Sequence, residues 1–310
     1  RVGTGGLSRR AAIAGGAAVT LLPPPGFASS GSMAGKTVLI TGANSGLGFA
    51  TANSLAEMGA KVVLAVRDPT KGNEAAAKIK GSVEVSQLDL GDLGSVKAFA
   101  KRWGDRPVDV LMLNAGVMAI PERSLTKDGF ERHYAVNHLG HFALTALLWP
   151  SVRKAAEKGE GGGARVVVVS SDGHKKGSIA FDDINLEKQG AYKDCATPFC
   201  SAYTQSKLAN VLFAKELARR VPAGLEVAVS SVSPGLVNTA LFRYALPDLH
   251  TDVSTGAVDD DAKLDKLYQV QGYFMTPATK AAQTQLALAS DPKLDRSAVA
   301  GKYFVDGKPA

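Results

Sequence analysis

Thr37-Val38-Leu39-Ile40-Thr41 runs without a break into Gly42-Ala43-Asn44-Ser45-Gly46-Leu47-Gly48, and an Ala-rich helical pattern continues to Gly59. A short apolar run bounded by turn residues reads as a buried strand. Glycines after such a strand let the backbone approach a pyrophosphate, and the helix that follows turns its unpaired N–H groups toward the phosphates. A glycine cluster alone is only a turn. Strand, glycines and helix in register predict a nucleotide-binding unit, with Gly42, Asn44, Ser45, Gly46, Leu47 and Gly48 as its lining. The alternation then repeats: Lys61 to Val66, Val83 to Leu88, Val108 to Leu113, Arg165 to Val169, Glu226 to Ser231 and Lys302 to Val305 read as further strands separated by helical stretches. That order predicts an α/β domain.

The cofactor end is read from the residues at the strand termini. The second strand ends Ala65-Val66-Arg67-Asp68. About 20 residues past the glycines an acidic group would hold an NAD ribose. Arg67 instead suits a 2′-phosphate and adenine stacking, which favours NADP(H) over NAD(H). Asp68 dissents, facing the ribose or capping the next helix. At Asp89-Leu90 the carboxylate either meets the adenine amino group or caps the helix Leu93 to Trp103. Asn114-Ala115-Gly116 follows the fourth strand, where an amide and small residues suit a ligand crevice. The turn Ser233-Pro234-Gly235-Leu236-Val237-Asn238-Thr239 can wrap a nicotinamide carboxamide with backbone groups and the Thr239 hydroxyl.

The chemistry is expected at Ser201-Ala202-Tyr203-Thr204-Gln205-Ser206-Lys207. Tyr203 and Lys207 lie one helical turn apart on one face. A phenol titrates near ~10, and a neighbouring ammonium lowers that value, which suits acid/base work. The pair alone is weak, because a packed Tyr beside a solvated Lys looks the same. Asn137 falls inside a predicted helix from Phe130 to Leu148, where Asn is neither a good helix former nor cheap to bury. His138 and His141 in that helix are expected to pack or hydrogen-bond rather than bind a ligand. The strand Arg165 to Val169 ends in Ser170-Ser171-Asp172-Gly173-His174, on the same sheet edge as the glycine turn.

Together, Thr41-Gly42, Gly46, Gly48, Asn114-Ala115-Gly116, Asn137, Ser171, Tyr203, Lys207 and Pro234-Gly235 resemble the short-chain dehydrogenase/reductase family over about Lys36 to Phe304. Ala65-Val66-Arg67-Asp68, Asn137-His138-Leu139-Gly140-His141-Phe142 and Tyr203-Thr204-Gln205-Ser206-Lys207-Leu208-Ala209-Asn210 resemble its retinol dehydrogenase-like branch. That branch includes the WW domain-containing oxidoreductases and is distant kin of light-dependent protochlorophyllide reductase. The resemblance implies a single Rossmann-type, doubly wound parallel sheet of order 3-2-1-4-5-6-7 with helices on both faces. It implies Tyr203 as general acid for reduction and base for oxidation. Lys207 would lower its pKa and hold the nicotinamide ribose, Ser171 would bind the substrate oxygen, and Asn137 would anchor a water linking Lys207 to solvent. Gly42 to Gly48, Arg67, Asp89, Leu90, Asn114 to Gly116, Pro234, Gly235, Val237 and Thr239 would line the cofactor site. Two departures stand out. Lys188 to Cys200 is longer than that branch's usual connection, and Asn44 stands where many NADP enzymes of the family place a basic residue.

The expected function is NADP(H)-dependent interconversion of a carbonyl and an alcohol. The walls Val117-Met118-Ala119-Ile120-Pro121 and Leu241-Phe242-Arg243-Tyr244-Ala245-Leu246-Pro247 suit a bulky apolar substrate of retinoid, steroid, carotenoid or tetrapyrrole type, or simply pack a loop. The competing reading is a catalytically silent, cofactor-bound subunit or scaffold of a larger membrane or photosynthetic assembly. Intact Asn137, Ser171, Tyr203 and Lys207 favour the enzyme. Membrane association and a homodimer stay open.

Composition narrows the partners. Of the +7 formal charge, Arg1, Arg9 and Arg10 supply three units, and residues 1–32 contain no acid. The rest carries no basic stripe with interleaved aromatics, so nucleic acid is not an expected partner. Cys195 and Cys200 are too few for a zinc site and read as two structural thiols in one loop, with a local disulfide as the alternative. No metal is expected. Residues 1–32 read as a targeting segment and linker ahead of one domain, 33–310. Ser8-Arg9-Arg10, the apolar run Ala11 to Leu22 and a cleavage-like site after Ala28 resemble a twin-arginine signal. A plastid, thylakoid-directed address is expected, with mitochondrial targeting or bacterial export as alternatives.

Overall fold

Apolar side chains alternate strictly along the central strand of this chain, and that alternation builds two hydrophobic layers. The computed structural model describes residues 32–158, 163–193, 195, 199–237, 239, 241, 244 and 275–310. In β1 (Thr37–Thr41), Val38 and Ile40 point to one face and Leu39 to the other. The same alternation holds in β2 (Lys61–Val66), β4 (Val110–Leu113) and β5 (Ala164–Val169). A strand buried on both sides needs helices on both sides. Helix α1 (Gly46–Glu57) and α2 (Pro69–Ala76) cover the first face. Helix α3 (Leu93–Trp103) packs Val96, Phe99 and Trp103 onto the second.

With β3 (Ser82–Gln87), β6 (Val227–Ser233), β7 (Tyr303–Val305) and β8 (Lys308–Pro309), the strand order is 3-2-1-4-5-6-7-8. The first seven run parallel, in the order the sequence led us to expect. β8 is an addition, an antiparallel edge pairing Phe304 with Pro309 and Val305 with Lys308. A lysine and a proline give no hydrophobic run to read. The hairpin is made by the turn, where Asp306 and Gly307 both take positive φ (45° and 78°).

The predicted helix from Phe130 to Leu148 is three pieces. Helix α4 (Arg132–Tyr134) passes into a π-helical turn (Ala135–Leu139) and then α5 (Gly140–Glu157). Helix α6 (Ser201–Arg220) carries the Tyr–Lys pair. Towards the carboxyl end α7 (Ala278–Ala281), α8 (Gln283–Ser290) and α9 (Arg296–Val299) follow. No helix among the described residues is long and apolar enough to cross a membrane.

Cys195 and Cys200 are bonded as a disulfide, with Cα atoms 4.5 Å apart, which corrects the reading of two free structural thiols. Except for Ser32, the expected targeting segment 1–32 lies outside the described residues, as do Asn238 and, in the expected wall Leu241 to Pro247, every residue but Leu241 and Tyr244.

Candidate active site

The carboxyl ends of β1, β4, β5 and β6 open onto one cleft of about 990 Å³. Its nucleotide end is shaped by what the glycines leave out. Gly42 has φ +66° and stands against Ala115, where an added Cβ would come within 2.9 Å of its Cα. A Cβ at Gly48 would meet Asn114 Nδ2 at 2.5 Å and the Gly42 carbonyl at 2.6 Å. Gly46 (φ +54°) faces Thr239 across the cleft. Ser45 is the N-cap of α1 but makes no side-chain cap, so the first N–H groups of the helix are left for a ligand. This cradle fits a pyrophosphate, and Gly42 to Gly48, Thr239, Pro234, Gly235 and Val237 all line the cleft apart from Ala43.

The two ambiguous aspartates are now separated. Asp68 caps α2, accepting from the Thr70 and Lys71 amides at 2.9 and 3.4 Å, ahead of Pro69. Arg67 and Lys71 line the cleft beside it. The cap of α3 is Asp92, accepting from Ser95 N at 3.0 Å, and not Asp89. Asp89 turns one oxygen to the Gly91 amide at 2.8 Å and lines the cleft together with Leu90. Asn114 is turned back into the fold. Its Nδ2 donates to the Thr41 and Gly42 carbonyls at 2.9 and 3.4 Å, holding β4 to the glycine turn.

A buried polar chain joins that turn to the helical side. The Thr41 hydroxyl accepts from the Asn114 and Ala115 amides at 2.9 and 3.0 Å and meets His141 Nε2 at 2.8 Å. His141 Nδ1 lies 3.0 Å from the Asn137 carbonyl, which can only accept, so Nδ1 carries the proton. Burial holds this imidazole neutral, bringing its pKa down to about 3, and Nε2 therefore accepts from Thr41. The Asn137 side chain is also engaged. Its Oδ1 accepts from Val117 N at 2.8 Å, and its Nδ2 donates to Val117 O at 3.0 Å and Ser206 Oγ at 2.9 Å. His141 and His138 thus act as hydrogen-bonding and packing residues, His138 approaching Asn210 Oδ1 at 3.3 Å.

Tyr203, Lys207 and Ser171 meet where α6 crosses the ends of β5 and β4. Ser170 and Asn210 fasten α6 to β5, through Ser170 Oγ to the Lys207 carbonyl at 2.7 Å and Asn210 Nδ2 to the Val169 carbonyl at 3.3 Å. Lys207 Nζ donates to the Val169 carbonyl at 3.2 Å and stands 5.6 Å from the centre of the Tyr203 ring. A Cβ built on Gly116 would lie 3.3 Å from Asn137 Oδ1 and 3.6 Å from Lys207 Nζ, so both groups flank that glycine. The expected lowering of Tyr203 by Lys207 is not what this packing gives. Burial dominates, pushing the phenol up to about 12 against a smaller opposing pull from the Ser171 hydroxyl. Burial likewise brings the Lys207 ammonium down to about 8. At neutral pH the phenol therefore keeps its proton, in one cleft with Ser171 and beside a charged lysine. Asp172 ties three strand ends together behind Ser171, accepting from Ser233 Oγ and the Tyr303 hydroxyl at 3.2 Å each.

Apolar walls close the other end. Met118, Ile120, Phe199, Leu236 and Leu241 line the cleft, with Tyr244 at its mouth. Met118 and Tyr203 belong to one buried cluster with Cys195 and Cys200. Ala119 and Leu186 in that cluster both take positive φ (57° and 54°), a strained backbone of the kind that collects at functional sites. Sequence reasoning missed Phe199, Ser206, Tyr192 and the Thr41–His141 link. A polar residue buried in a helix was the available signal for Ser206, whereas nothing local announces a contact spanning 100 residues.

A family model described as short chain dehydrogenase matches residues 36–182. Retinol dehydrogenase 14 of Homo sapiens is 40% identical over 298 residues, covering 90% of this chain and 80% of its own length. Retinol dehydrogenase 12 of Homo sapiens is 40% identical over 281 residues, with 88% and 78% covered. A Beutenbergia cavernae structure described as an NAD(P)-dependent gluconate 5-dehydrogenase with bound NADP superposes with a TM-score of 0.62. It is 25% identical and covers 89% of this chain and 96% of that one. Sheet order, glycine cradle and buried Tyr–Lys–Ser cluster agree with these likenesses, and the chain belongs to the short-chain dehydrogenase/reductase family, as an oxidoreductase of alcohol and carbonyl groups with a nicotinamide cofactor.

Proposed function

We propose that this chain interconverts an apolar alcohol and its carbonyl compound with NADP(H). The observation that carries this reading is the buried Tyr203 phenol, which lines the cleft with Ser171 and Lys207 at the junction between the glycine cradle and the apolar walls. A bound nicotinamide supplies or receives the hydride. The protein does the rest. Ser171 holds the substrate oxygen beside the Tyr203 hydroxyl, and Tyr203 gives that oxygen its proton in reduction or takes it in oxidation. Lys207, fixed by the Val169 carbonyl, holds a positive charge next to the phenol and is placed to bind ribose hydroxyls. Asn137 keeps Gly116 and Val117 in position beneath that charge.

The preference for NADP(H) rests on Arg67. It lines the cleft at the end of β2 together with Lys71, while its acidic neighbour Asp68, also in the lining, has one carboxylate oxygen engaged in the cap of α2. A 2′-phosphate there can pair with the Arg67 guanidinium and the Lys71 ammonium. The apolar substrate rests on Met118, Ile120, Leu236 and Leu241, and the retinol dehydrogenase relatives support it. Fluorescence titration with NADPH and NADH tests the reading. We expect NADPH to bind more tightly and Arg67→Ala to weaken it by about ten- to a hundredfold, as loss of a charge-assisted pair does. Equal affinities, unchanged in Arg67→Ala, would remove the NADP preference. Full turnover of an apolar aldehyde by Tyr203→Phe would remove the mechanism.

A further inference from the structure

Two aromatic residues of the stretch Lys188 to Cys200, Tyr192 and Phe199, reach opposite walls of the cleft. On one side the Tyr192 hydroxyl donates to the Ile120 carbonyl at 2.7 Å, and its ring packs on His133. On the other side Phe199 lines the cleft with Ser171 and Tyr203. A Cβ built on Gly173 would lie 3.1 Å from Phe199 Cδ1 and 3.4 Å from Ser171 Oγ. The aromatic ring and the Ser171 hydroxyl therefore flank one point, and the missing side chain of Gly173 makes the room. The Lys176 ammonium stands 5.0 Å from the ring centre.

The ring is fastened before any substrate arrives. Its neighbour Cys200 is bonded to Cys195, and both are buried, at 1% and 3% exposure. Cys200 is also the N-cap of α6, one turn ahead of Tyr203. Ser201 closes the base of the loop, its hydroxyl donating to the Ala191 carbonyl at 2.8 Å and accepting from Lys193 N at 3.1 Å. A side chain already ordered adds no ordering cost on binding. An aromatic face rewards a planar partner by offset stacking, which a puckered or flexible group of equal size cannot match.

We propose that Phe199 is the specificity-determining residue of this site, a plate beside the carbonyl end of the cleft that selects substrates flat and apolar next to their carbonyl. Aryl and conjugated aldehydes and ketones form that class, and the Cys195–Cys200 bond sets the plate in place. The inference rests on the carbonyl/alcohol reading above.

The test pairs cinnamaldehyde with 3-cyclohexylpropanal, its saturated and puckered counterpart, using the full chain and NADPH. The readout is the ratio of the two kcat/KM values. Phe199→Ala should lower that ratio about fivefold, the size of one aromatic contact, while Phe199→Tyr keeps it. The double variant Cys195→Ser/Cys200→Ser should move it in the same direction as Phe199→Ala. An NADPH affinity within about threefold of wild type reports that each variant is folded. Should Phe199→Ala fail to fold, Phe199→Leu carries the test, because it keeps apolar bulk and removes the plate. A ratio unchanged in the folded variant overturns the role of Phe199, and one unchanged in the double cysteine variant overturns that of the disulfide. Wild type that binds NADPH and reduces neither aldehyde sinks the carbonyl/alcohol reading and this inference with it.

Discussion

Asn137→Ala should cost about 2 kcal/mol of folding stability, and the figure follows from what its side chain holds. Three hydrogen bonds go: Oδ1 from Val117 N, and Nδ2 to Val117 O and to Ser206 Oγ. Ser206 keeps its own donation to the Tyr203 carbonyl at 2.7 Å, so it loses least. The amide and carbonyl of Val117 are left without a protein partner. A stranded polar group costs about 1–3 kcal/mol, and Val117 is only half-buried, so water reaches it and the low end applies to each. Two such groups give about 2 kcal/mol, a sizeable share of the roughly 5–15 kcal/mol that a domain has. Urea unfolding measures it, provided the m-value matches wild type. Asn137→Asp is the informative companion. It keeps an acceptor for Val117 N but sets an oxygen against the Val117 carbonyl, so it should be no milder than Ala. A loss under about 0.5 kcal/mol in Asn137→Ala, or full stability in Asn137→Asp, would refute the claim that this side chain fastens the β4 turn to the helical side.

Carbonyl reduction should fall above about pH 8, roughly tenfold per unit, because Lys207 is charged below that value and neutral above it. Tyr203 keeps its proton to about 12, so a profile that stays level to pH 10 would sever Lys207 from the chemistry. Gly46→Ala forces a side chain onto a residue with φ +54° and to 2.9 Å from Thr239 Cγ2, and should weaken NADPH binding at least about tenfold by fluorescence titration. Arg165→Leu should destabilise by about 3 kcal/mol in the same urea assay, since three main-chain carbonyls at Leu288, Asp291 and Leu294 lose their donor. Because Arg165 sits at the far end of β5, its NADPH affinity should stay at the wild-type value.

The central strands β1, β2, β4, β5 and β6 were legible because they are short β-branched or apolar runs buried on both faces, and the parallel order followed once the family resemblance was seen. The candidate site was legible where chemistry and position coincide, as for Tyr203 and Lys207 one turn apart or Arg67 at a strand end. It was not legible where a role depends on the partner. Nothing in Asp68, Asp89 and Asp92 says which two cap helices. The π-helical turn is a choice of hydrogen-bond acceptor, invisible to a pattern of apolar side chains. That Cys195 and Cys200 pair, and that Phe199 stands near Ser171, needed the third dimension. The lysine's effect on the tyrosine was misjudged for a related reason, since adjacency is written in the sequence and depth of burial is not.

The Thr41 hydroxyl has a consequence for the order in which the chain comes off the ribosome. It closes the first βα unit, yet its partners are the amides at 114 and 115 and the imidazole at 141. β1 itself must wait for Val110–Leu113 before both its edges are paired. The nascent nucleotide turn therefore stays open through 73 and 74 residues of synthesis before the two amides it needs are made, and through 100 before the imidazole is. Loop closure over such a span is slow compared with local helix formation. The first βα unit of this protein is written first and closed only once residue 141 has been made.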